Sequence, residues 1–90
     1  MQNKLRENLK SAMKARDKVQ VSTLRMLLSS IKNEEIHKGS ELSEEDYIGL
    51  LTREAKKRRE AAALFREGDR DEMATNEEAE LAIIQTYLPQ

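Results

Sequence analysis

Apolar residues recur along this chain at intervals of three and four, the period that lines one face of an α-helix. Leu5, Leu9, Ala12 and Met13 mark a first helix over roughly residues 3–16. Asp17, three residues before Gln20, reads as the capping start of a second, whose stripe is Val21, Leu24, Leu27, Leu28 and Ile31. Gly39 ends that helix, with His37 and Lys38 in its last turn, where positive charge complements the helix dipole. Ser43 with Asp46 signals the next start, and Ile48, Leu51, Ala55, Ala62 and Phe65 form a third stripe that stops at Gly68. Asp69 with Glu72 opens a fourth helix; Met73, Leu81, Ile84 and Leu88 are its stripe, and Pro89 cannot continue it. The joints are a few residues each, so successive helices are expected to be antiparallel neighbours. The pattern predicts an all-α fold, a small antiparallel bundle of about four helices. It reads as one domain over residues 1–90, without an internal repeat, linker or low-complexity run.

The polar positions add a second layer. At about 100° per residue, Arg53, Lys56 and Lys57 fall opposite the apolar stripe of the third helix, while Arg59 and Arg66 flank it. Arg58 falls inside the stripe, between Ala55 and Ala62, and Glu54 points partly the same way. Glu35 continues the second stripe after Ile31, and Glu77 lies between Met73 and Leu81. Charges do not sit on core faces unpaired. Bends near residue 41 and Gly68 bring Arg58 level with Leu24 and Arg25 on one side and with Glu77 and Glu78 on the other. The expectation is a partly buried cluster of Arg25, Glu54, Arg58 and Glu77. Such a cluster serves as a specificity device of the scaffold, or else it holds its arginine forks ready for a phosphate or carboxylate on a partner.

Composition agrees with the helical reading. Charged residues make up 37% of the chain and aromatics 3%, a balance poor in the residue types that strands favour. The net charge is -1, which argues against a general nucleic-acid binder. The charges nevertheless alternate in blocks. Residues 1–32 hold eight Lys or Arg against Glu7 and Asp17, and residues 33–52 hold six acids against Lys38. Residues 53–66 hold six bases against Glu54 and Glu60, and residues 67–90 hold seven acids against Arg70. Blocks of this kind match neighbouring helices electrostatically. The alternative is that the outward cations Lys10, Lys14, Arg53, Lys56 and Lys57 form a phosphate-contacting patch, whose binding falls steeply with salt. No aromatic residues are interleaved to stack single-stranded bases.

Catalytic chemistry has little material. There is no cysteine, hence no disulfide or thiolate metal site. The lone His37 falls at a helix end beside Lys38 and Gly39, as a dipole-compensating surface residue. Glu34-Glu35 and Glu77-Glu78 lack the Glu-x-x-His partners of a di-iron bundle. The three glycines are isolated, so there is no phosphate-cradling loop. No metal, cofactor, small-molecule substrate or enzyme activity is expected. The longest apolar runs are a few residues, far short of a membrane span, and a cytosolic location is the default expectation.

Three blocks carry a resemblance: "STLRMLLSSIKNEEI" (22–36), "REAKKRREAAALFREGDRDE" (53–72) and "EEAELAIIQTYLP" (77–89). In this order they resemble the YqeY-like proteins of the GatB/YqeY family, over nearly the whole chain. The resemblance implies an all-helical N-terminal domain, followed in longer relatives by a smaller helical domain. The present sequence stops at Gln90, so that second domain is expected to be absent. Related domains lie at the end of the B subunit of the tRNA-dependent amidotransferase and on some glutaminyl-tRNA synthetases, where they help engage tRNA. The family pattern falls here on Arg25, Asn33, Glu35, Glu54, Arg58, Gly68, Arg70, Glu80, Leu88 and Pro89, read as mostly architectural. The functional expectation is a non-catalytic module that assists tRNA-dependent amidotransferase or aminoacyl-tRNA machinery by docking to tRNA or to a protein of that machinery. The alternative is a pure protein-interaction or assembly domain without RNA contact.

Overall fold

The structure, a computed structural model, describes residues 1–89. Its helices are α1 (Gln2–Ala15), α2 (Lys18–Lys38), α3 (Glu44–Glu67) and α4 (Asp71–Gln85). The fold is all-α, with no strand among the described residues. The chain divides into two compact units, Met1–Leu50 and Leu51–Gln90. The first turns of α3 belong to the first unit and the rest of that helix to the second.

In the first unit, α1 closes on Arg16, which adopts the left-handed region at φ 57°. The next residue is Asp17, whose carboxylate accepts from the Gln20 N–H at 3.2 Å, so one residue ends α1 and its neighbour caps α2. Two linking residues leave no room for any course but a reversal. The start of α1 accordingly meets the end of α2, with Gln2 Nε2 donating to Glu35 Oε2 at 3.0 Å. Gly39 ends α2 at φ 77°, a conformation glycine enters without Cβ strain. Ser43 and Asp46 cap α3 reciprocally: the Asp46 N–H donates to Ser43 Oγ at 3.1 Å and the Ser43 N–H donates to Asp46 Oδ2 at 2.9 Å.

The buried residues of this unit are Leu5 and Ala12 on α1, Thr23, Leu24, Leu27 and Ile31 on α2, and Leu42 and Leu50. Each large aliphatic side chain taken fully out of water contributes about 1.5–3 kcal/mol. Met13, counted in the α1 stripe, is 49% exposed. It stands one step of about 100° beyond Ala12, on the rim of the apolar face. Thr23 is fully buried and its Oγ1 has no partner.

In the second unit α3 and α4 run antiparallel, since Arg66 near the end of α3 reaches Asp71 at the start of α4 while Arg58 reaches the later Glu77. Leu51, Ala55, Ala62, Ala74, Ile83 and Ile84 are buried. Three of these six are alanines, so the unit buries little area per residue. The turn differs from expectation. Asp69 does not start α4; it takes the left-handed conformation at φ 58°, while the Arg70 N–H donates back to Phe65 O at 2.8 Å. Aspartate enters this region more readily than most residues because its short polar side chain bonds locally. The helix then begins at Asp71, behind an N-cap Arg70 that makes no side-chain cap bond. Met73, counted in the α4 stripe, is 46% exposed in the first turn, where it and Phe65 line a surface depression. The fourth helix also ends earlier than its apolar pattern, at Gln85, where Thr86 Oγ1 donates to the Ile83 carbonyl at 2.6 Å.

Candidate functional site

Two kinds of charged group emerge, one enclosed and one outward. The enclosed set lies in the second unit. Glu54 is buried on α3. One turn on, Arg58 Nη2 lies 3.3 Å from Glu54 Oε2, and its Nη1 lies 3.9 Å from Glu77 Oε2 on α4. The helical repeat places positions 54 and 58 on one face, and the antiparallel return of α4 supplies the third member. Arg58 Nε and Glu77 Oε2 are both buried without a hydrogen-bond partner. One arginine thus stands between two largely buried carboxylates.

Arg25 does not share that burial. It is exposed on α2 and lines a shallow depression with Arg16, Lys18, Val21 and Ser22. The expectation of partial burial for Arg25 is therefore corrected. Counting along a hairpin fixes a residue's height, whereas Arg25 is turned about 100° away from the buried Leu24.

Of the outward candidates, Lys10 and Lys14 are exposed one turn apart on α1, and Arg53, Lys56 and Lys57 are exposed on α3. Lys56 Nζ lies 3.9 Å from Glu60 Oε1, and Lys57 Nζ lies 3.6 Å from Glu54 Oε1. These α3 lysines therefore have carboxylates of their own helix beside them. His37 is exposed in the last turn of α2.

Other polar groups knit the helix ends. Glu35 accepts from Gln2, whose Nε2 also lies 3.1 Å from the Tyr47 hydroxyl. That link between the starts of α1 and α3 and the end of α2 was missed by sequence reasoning, although Glu35 stood out as a charge on an apolar stripe. Arg66 grips both carboxylate oxygens of Glu78 and lies 3.5 Å from Asp71 Oδ1. The Glu78 bonds hold its guanidinium above the ordinary value. Asp46 is pulled down to about 2, chiefly by the Lys38 ammonium and then by the Ser43 backbone and hydroxyl. Both groups stand at helix ends and are held there in ion pairs, so both shifts are read as structural. Among the described residues, no three His, Cys, Asp or Glu side chains come together as metal ligands. None of the helices is long and apolar enough to cross a membrane.

The pattern of the Yqey-like protein family matches residues 2–90. The chain belongs to that family. This YqeY-like chain is 36% identical over 85 residues to "Altered inheritance of mitochondria protein 41, mitochondrial" of Vanderwaltozyma polyspora, covering 93% of this chain and 46% of the relative. The protein of the same name in Lachancea thermotolerans is 37% identical over 87 residues, covering 96% of this chain and 46% of the relative. An uncharacterized protein of Schizosaccharomyces pombe is 30% identical over 90 residues, covering 100% of this chain and 73% of the relative. The YqeY-like chain spans about half the length of the first two. Those relatives are named as mitochondrial, which overturns the cytosolic expectation.

Proposed function

We propose that this chain is a non-catalytic helical module that docks onto tRNA in the service of tRNA-dependent amidotransferase or aminoacyl-tRNA machinery. The observation that carries the reading is the basic stretch at its start. All eight Lys and Arg residues among positions 1–32 are exposed, against two acids. A surface of that kind meets phosphate without needing a base-stacking platform. Family membership supports the setting, because related domains accompany tRNA-handling enzymes. The enclosed Glu54–Arg58–Glu77 set holds the scaffold and takes no part in docking. The relatives' names make mitochondria the compartment in which to look for the complex.

The test is the affinity of the chain for unfractionated tRNA measured from low to high salt. The reading requires binding that weakens linearly in log–log form. Salt-independent binding, or none at low salt, removes it. A protein partner is the second reading. Ile36 and Leu64 favour it, each about 70% exposed on its own unit, since large aliphatics left in water suit an apolar contact.

A further inference from the structure

We infer that the corner between α1 and α2 is the phosphate-backbone contact of the chain, with Arg16, Lys18 and Arg25 as its cationic rim. The inference rests on the tRNA-docking reading and assigns it to one place. Arg16 sits in the left-handed turn between the helices, and Lys18 is the first residue of α2. Arg25, seven residues on, stands about 10 Å further along the same helix by its rise per residue. The floor between them is Val21 and Ser22, so the three long side chains border a concave surface.

Two observations separate this corner from the basic run of α3. First, the acid within the turn is already engaged: the Asp17 carboxylate caps α2 by accepting from the Gln20 N–H. Second, among the described residues no carboxylate pairs with Arg16, Lys18 or Arg25, whereas Lys56 and Lys57 each have one within 4.0 Å. A phosphate arriving at α3 must compete with Glu60 and Glu54; one arriving at the corner need not. Lys10 and Lys14, in the half of α1 that leads into the turn, are exposed as well. Two arginines offer planar forks that match phosphate oxygens in pairs, while the hydroxyl of Ser22 donates to the Val19 carbonyl of its own helix. A duplex or stem of RNA laid across such a rim would be held by its backbone and not read by its bases.

The experiment measures tRNA affinity against salt for the wild-type chain, for Arg16→Gln/Arg25→Gln and for Lys56→Gln/Lys57→Gln, with helical circular dichroism confirming that each variant is folded. Loss of one phosphate contact lowers the log–log slope by about 0.7–0.9. The corner variant is therefore expected to lose about 1.4–1.8 of slope and the α3 variant less than half of that. An unchanged slope in the corner variant, with a reduced one in the α3 variant, overturns the inference and leaves tRNA docking standing. Absence of salt-dependent tRNA binding in the wild-type chain overturns both. Polyglutamate of matched charge is the third arm: if it competes as well as tRNA does, the corner takes acidic protein and the assignment to RNA fails.

Discussion

Replacing Arg58 by methionine removes the one cation that stands between Glu54 and Glu77. The side chains of those carboxylates are 11% and 17% exposed, so water reaches them poorly once the guanidinium is gone. Breaking a fully buried ion pair from one side costs about 3–5 kcal/mol. Here the discount is modest. Arg58 itself is 21% exposed, its contact with Glu77 is a long 3.9 Å, and Lys57 Nζ stays 3.6 Å from Glu54. The expected loss is about 2–3 kcal/mol, which lowers Tm by about 8–24 °C in a domain of this size. Urea unfolding followed by helical circular dichroism measures it. The companion variant Arg58→Met/Glu54→Gln/Glu77→Gln leaves no uncompensated charge in the interior, only the exposed Lys57 without its partner, and is expected to regain most of the loss. A loss below about 0.5 kcal/mol for Arg58→Met, the scale of an ordinary surface substitution, would refute the view that these ions belong to the interior.

Two further expectations concern the first unit. Asp46 titrates at about 2 in the folded chain against an ordinary 3.8; its contribution is complete above pH 4 and is lost as pH falls through about 2, so acid unfolding of wild type and Asp46→Asn should converge below that pH while differing at neutrality, with the wild type more stable. Thr23→Val replaces a buried, unpartnered hydroxyl by a methyl of the same shape, and should hold or raise Tm in a thermal melt; a fall of several degrees would show that the hydroxyl has a partner in solution.

The helix periods were legible because the apolar positions are dense and the caps chemically explicit. Asp17, Gly39 and the Ser43–Asp46 pair each carry one strong local reason to start or stop a helix. The α3–α4 turn was misread because Gly68 and Asp69 both suit a left-handed turn residue, and a choice between neighbours is made by backbone bonds such as that from Arg70 to Phe65 O. Met13 and Met73 were placed inside because a period gives the angle of a stripe but not how far the neighbouring helices cover it. The charges followed the same divide. Arg58 was found by its angle on its own helix, whereas Arg25 was assigned by height along a hairpin, which says nothing of the direction a side chain faces. The corner at Arg16 and Lys18 escaped notice because its shape depends on how the turn at Arg16 meets the face of α2, which the period of a single helix does not describe.

The central claim is that outward cations meet the partner while the enclosed ions serve the scaffold. Backbone amide spectra of the labelled chain, recorded as tRNA is added, test it most directly. The account requires the largest shifts at Lys14, Arg16, Lys18, Ser22 and Arg25, with Glu54, Arg58 and Glu77 unmoved. Shifts centred on Glu54, Arg58 and Glu77 would contradict it.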